Sequence, residues 1–90
     1  PDWVSSFMLV KIYPNPCNVV ANLQVKPSER GHIILKLYDI NGKELWTRYF
    51  DTEPAEVFIR QIDMSSYHPG IYLLEIDNGS EKVLKKLVVY

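Results

Sequence analysis

Few side chains in this sequence carry reactive chemistry, and their spacing limits what they can do. A metal site needs three or four converging ligands. Around His32 and His68 there is no H-x-H, C-x-x-C or H-E-x-x-H spacing, so both read as solvent-facing residues at strand and loop ends. Asp39-Ile40-Asn41-Gly42 is like the opening of a calcium loop. The bidentate glutamate that such a loop needs twelfth in line is replaced by Phe50, so a hairpin turn accounts for the segment. Asp51, Glu53 and Glu56 are candidates to converge with Asp63 or Asp77 as an acid pair, although such clusters on a small domain are ordinarily a solvated rim. Ser65-Ser66 lacks the strand–turn–helix elbow of a catalytic serine. Cys17 stands alone, so it forms no internal disulfide, and no neighbour in sequence supplies a cation to activate it. Asn78-Gly79-Ser80 matches a glycosylation sequon that turn chemistry also explains. Trp3, Trp46 and Tyr49 are the candidates for an aromatic platform under a sugar. The expectation is therefore a protein that is not an enzyme and that needs no cofactor or metal.

Composition points the same way. Ninety residues make a single domain that buries roughly 60–65% of its unfolded surface. The apolar fraction of 47% is that of a folded chain. Ten basic and eleven acidic residues leave a net charge of −1 without any charged block. Nucleic acid and anionic lipid are thus poor partners. No apolar run approaches the ~20 residues of a membrane span.

The elements that position these residues are short and extended. β-branched and aromatic runs alternate with Pro, Gly, Asn and Ser clusters, which predicts an all-β immunoglobulin-like sandwich of seven antiparallel strands. The strands read as residues 8–13, 18–25, 32–39, 43–50, 56–62, 70–77 and 81–90. Val19, Ala21, Leu23 and Val25 share one face of the second, and Ile33, Leu35 and Leu37 point inward from the third. The fifth has no clear face, since Val57, Phe58, Ile59 and Ile62 differ in parity. Asn41-Gly42 and Asn78-Gly79 each favour a tight hairpin with positive φ. Tyr72, just after the corner at Pro69-Gly70, suits the tyrosine corner of immunoglobulin-like folds. Residues 1–7 read as a linker and residues 8–90 as the domain. Pro1 is not an initiator Met and no signal peptide follows, so the chain reads as a piece of a larger protein.

Four motifs in order give the sequence a resemblance. Tyr13-Pro14-Asn15-Pro16 ends the first strand; Leu37-Tyr38-Asp39-Ile40-Asn41-Gly42-Lys43 lies in the middle; Gly70-Ile71-Tyr72-Leu73-Leu74 opens the sixth strand; Lys85-Lys86-Leu87-Val88-Val89 lies near the end. Together they resemble the type A C-terminal sorting domain of the type IX secretion system of Bacteroidetes. Cys17-Asn18, Tyr67 and Tyr90 depart from its usual pattern. The resemblance implies a sorting signal fused to an upstream cargo domain, exported to the periplasm and delivered to the cell surface or medium. Its implied partners are the outer-membrane translocon and a surface transpeptidase that cuts in or before residues 1–7. Recognition is expected to use Tyr13, Pro14, Asn15, Pro16, Lys85, Lys86, Leu87, Val88 and Val89. Pairing with a partner through open amides near Val88 is the expected mode, and an edge-to-edge homodimer is open to the same strand. A sugar-binding or spacer module is the alternative.

Overall fold

Alternation of apolar and polar residues becomes two facing sheets. The computed structural model describes residues 9–27, 30–53 and 56–90. The expected linker at residues 1–7, with Trp3 and Phe7, lies outside them. The strands are β1 (Leu9–Tyr13), β2 (Val20–Lys26), β3 (Gly31–Tyr38), β4 (Glu44–Thr52), β5 (Phe58–Asp63), β6 (Gly70–Asp77) and β7 (Lys82–Val89). One sheet has the order β1-β2-β5 and the other β4-β3-β6-β7, with every strand pair antiparallel. This is the seven-strand immunoglobulin-like sandwich that the sequence predicts.

The core sits between the sheets. Ala21, Leu23 and Val25 come from β2, Ile33, Leu35 and Leu37 from β3, Tyr72, Leu74 and Ile76 from β6, and Leu87 and Val89 from β7. Val19 does not join its neighbours; it precedes β2 and stays exposed. The ambiguous β5 resolves because Val57 falls outside the strand and Ile59 faces solvent, while Phe58 and Ile62 turn inward. Arg60, on the Phe58 side, lays its guanidinium over the Phe50 and Phe58 rings at 5.1 and 5.2 Å. Its long stem thereby covers apolar surface that the strand edge would otherwise expose.

Both Asn-Gly turns differ in detail from the two-residue hairpins expected. After β3 the closing pair is Asp39 and Lys43, so Ile40, Asn41 and Gly42 form the loop, with Gly42 at φ 85°. The Asp39 carboxylate accepts from the amides of Asn41 and Lys43, both at 2.9 Å, and this favours the wider loop. After β6 the turn is shifted one residue, with Asn78 bonded to Glu81 and Gly79 at φ 91°. The Asn78 side chain is spent as an acceptor for the Ser80 and Glu81 amides. At the other corner, the Tyr72 hydroxyl donates to the His68 carbonyl at 2.6 Å, which is the tyrosine corner that the sequence predicts.

The turn after β5 contains a titratable lock. Hydrogen bonds from the Ser65 hydroxyl and amide hold the Asp63 carboxyl below the usual aspartate range. A folded value below the unfolded one gives stability that is present above about pH 4 and lost as the pH falls through the folded value. Urea titrations from about pH 5 down to pH 2 should therefore show a weaker acid loss of stability in Asp63→Asn than in the parent. Identical curves would show that the lock contributes nothing.

Candidate recognition surface at the first turn and last strand

The sequence motif at residues 13–16 leaves β1 and crosses between the sheets. Its two Xaa-Pro bonds, Tyr13-Pro14 and Asn15-Pro16, are cis. Proline cannot donate to a ladder, so neither flanking residue continues the strand. The side chain of Asn15 takes over that task. Its Nδ2 donates to the Lys86 carbonyl at 2.7 Å, and its Oδ1 accepts from the Val88 amide at 3.0 Å. One residue beyond the second proline, the Cys17 amide donates to the Val88 carbonyl at 2.8 Å, and the Tyr90 amide donates to the Cys17 carbonyl at 3.0 Å. Cys17 thus makes a parallel bridge to Val89. A side-chain amide can donate and accept at once, so Asn15 imitates one more residue of strand.

This strap joins two of the expected recognition segments into one surface. It also revises the expectation that amides near Val88 are open, because both polar backbone groups of Val88 are taken by Asn15 and Cys17. Lys86 is exposed and Lys85 half-buried, whereas Leu87 and Val89 are core side chains. Tyr13 stays partly exposed, with its hydroxyl donating to Gln24 Oε1 at 3.3 Å and its carbonyl accepting from Asn22 Nδ2 at 3.3 Å. Gly70 and Tyr72 shape the corner, with Gly70 opposite Val89, and Asn41, Gly42, Asn78 and Gly79 shape the loops after β3 and β6.

Cys17, read from sequence as unpaired and without an activating neighbour, is a fully buried member of the core. Burial pushes its thiol pKa up, against the opposing pull of its own backbone hydrogen bond, so it packs there as a small neutral group. The strap was not legible as a unit. The available signal was an asparagine between two prolines, outside any turn or helix cap that would use its side chain.

Replacing Asn15 by Ala should cost about 1–2 kcal/mol, the net worth of two such bonds, and should speed hydrogen exchange at the Val88 amide. Urea unfolding and exchange measured by NMR test both effects. Unchanged exchange at Val88 would mean that the side chain does not hold the strap.

The remaining chemistry-bearing residues do not assemble. Asp51 bonds His32 Nδ1 at 2.8 Å, and Glu53 pairs with Arg30 at 2.8 Å, with all four side chains exposed. Glu56 lies in the same shallow pocket as Asp51 and Glu53, but Asp63 and Asp77 cap turns elsewhere. Among the described residues no group of three or more His, Cys, Asp and Glu could hold a metal ion. Trp46 pairs with Leu37 and faces inward beneath Arg48, at 4.1 Å, whereas Tyr49 pairs with Ile34 on the outer face. The two aromatics therefore form no common platform, and Trp3 lies outside the described residues. None of the described residues belongs to a helix long and apolar enough to cross a membrane.

Fold and strap define an immunoglobulin-like sandwich whose first turn is fastened along the edge of its last strand. The family of secretion system C-terminal sorting domains matches residues 11–90, and the chain belongs to that family. It is the type IX sorting domain that the four motifs resemble. The crystal structure of dimeric latent PorU from Porphyromonas gingivalis contains the same fold. Its TM-score is 0.70 at 19% identity, covering 91% of this chain and 9% of that one. The likeness to it is thus one of fold, over a small part of a much longer protein. A search of the curated proteins finds no match.

Proposed function

We propose that this chain is the part of a larger exported protein that the type IX translocon reads, and that it has no catalytic task of its own. An upstream signal peptide would bring the cargo to the periplasm. The folded domain would then present the strap and β7 to the outer-membrane translocon. A surface transpeptidase would cut in or just before residues 1–7, releasing the cargo or passing it to anionic lipopolysaccharide. The observation that carries this reading is the family match across residues 11–90. The physical form is suited to it: a stable sandwich with a surface built from backbone amides, lysines and aliphatic side chains, which recognise by hydrogen bonding and packing.

The test is a reporter with a signal peptide ahead of it and Pro1–Tyr90 behind it, expressed with and without the translocon. The fusion is expected at the surface or in the medium with its tag clipped, and in the periplasm when the translocon is absent. Retention of a folded fusion in the periplasm in both strains would overturn the proposal. Against a sugar-binding alternative stands the placement of Trp46 and Tyr49, which face opposite ways.

A further inference from the structure

The strap covers only one end of β7. Hydrogen-bonding direction alternates along an antiparallel strand, and Val88 and Lys86 turn their polar groups outward to Asn15 and Cys17. Leu84 has the same parity, so its amide and carbonyl also face outward. Among the described residues nothing pairs with them or with the Lys86 amide. This part of the edge has no bulge: β7 keeps one register with β6 from Gly70↔Val89 to Asp77↔Lys82. By contrast, β4 carries a register shift opposite Leu37 and Tyr38, β5 spans six residues, and β1 spans five among the described residues. Long regular edges are the ones that accept another strand.

The side chains beside the open amides say what kind of strand fits. Lys82, Leu84 and Lys86 stand in one row on the outer face, and Leu84 is 61% exposed. Leu73, opposite Lys86, and Ile71, opposite Val88, continue the apolar surface inward across β6. Neither Lys82 nor Lys86 takes part in an ion pair among the described residues. A second copy is a poor occupant. Antiparallel pairing of two β7 strands about Leu84 would set Lys82 against Lys86, and like charges directly opposite are destabilising.

We propose that the Leu84–Lys86 edge of β7 adds an extended strand of the translocon whose facing row reads acidic, apolar, acidic. This rests on the sorting reading above. The strap then acts as the stop that fixes register, because an added strand cannot pass the Lys86 amide without displacing Asn15 from the Lys86 carbonyl.

The probe is a short acetylated peptide in which threonine alternates with glutamate, valine and glutamate, followed by NMR of the 90-residue chain. Binding is expected to shift and protect the Leu84 and Lys86 amides. A peptide with lysine in place of glutamate is expected not to bind. Leu84→Pro removes an outward-facing donor and spares the β6–β7 ladder, so the fold should persist while affinity falls about fivefold to tenfold. Lys86→Glu should weaken the acidic peptide further. In solution, four results would overturn the proposal: no binding at millimolar peptide, equal binding of the lysine peptide, equal binding by Leu84→Pro, or self-association of the chain through β7. In the reporter, normal export of a folded Leu84→Pro fusion would sink strand addition and leave sorting intact. Failure of the unaltered fusion to leave the periplasm would remove the sorting reading, while the peptide result would still decide what the edge binds.

Discussion

Removing residues 85–90 should leave no cooperatively folded domain. Those residues supply two core side chains, Leu87 at 0% and Val89 at 4% exposure. They also hold the half of β7 that pairs with residues 70–74 of β6, and every anchor of the strap. Loss of a large buried aliphatic side chain alone costs about 2–5 kcal/mol, against a total of about 5–15 kcal/mol for a domain. The deletion adds a lost strand segment to that. Thermal unfolding followed by circular dichroism should show no sharp transition, and amide spectra should collapse. A sharp transition in the shortened chain would show that β7 is an accessory strand. A truncation that blocks export would thus report the absence of a fold, so point changes on the outer row of β7 are the better probes of recognition.

Leu74→Ala should be the most damaging single truncation of a side chain that leaves the strap and the outer row of β7 untouched. Leu74 is fully buried at the centre of β6, opposite Leu37 on β3 and Lys85 on β7. A cavity there should cost about 3 kcal/mol, which for a domain of this size lowers the melting temperature by about 15 °C. Leu84→Ala makes the same chemical change on an exposed edge and should stay within about 0.5 kcal/mol of the parent. Paired melting curves decide the matter: equal shifts for the two variants would contradict the assignment of one to the core and the other to the surface.

The number of strands and most of their faces were legible in the sequence because alternation is a local signal. Ile33, Leu35 and Leu37 announce the inner face of β3 without reference to any partner. The tyrosine corner was equally legible, since Tyr72 and its acceptor at His68 lie four residues apart. Where the pattern broke, the cause was the end of a strand: Val57 confused the face of β5 only while it was counted inside it. Both turns were legible but not in detail: the first is one residue wider and the second is shifted by one residue, because Asp39 and Asn78 use their side chains to rearrange the local backbone. The strap was beyond a local reading. Asn15 meets Lys86 and Val88 across 71 and 73 residues, and no spacing rule connects them. For the same reason the edge at Val88 looked open; the opposite faces of Trp46 and Tyr49, by contrast, follow from alternation alone, because the two stand three residues apart on β4.

That long reach has a consequence in time. Contacts between distant parts of a chain form late, because the intervening loop must be closed before they yield any gain. The joint surface of strap and β7 therefore exists only after both ends of the domain have been made and have met. A receptor that requires the two together is blind to unfinished or nicked chains, and it waits while anything upstream folds first. With such a receptor, delivery would become a form of proofreading, in which the label is legible only on a finished chain.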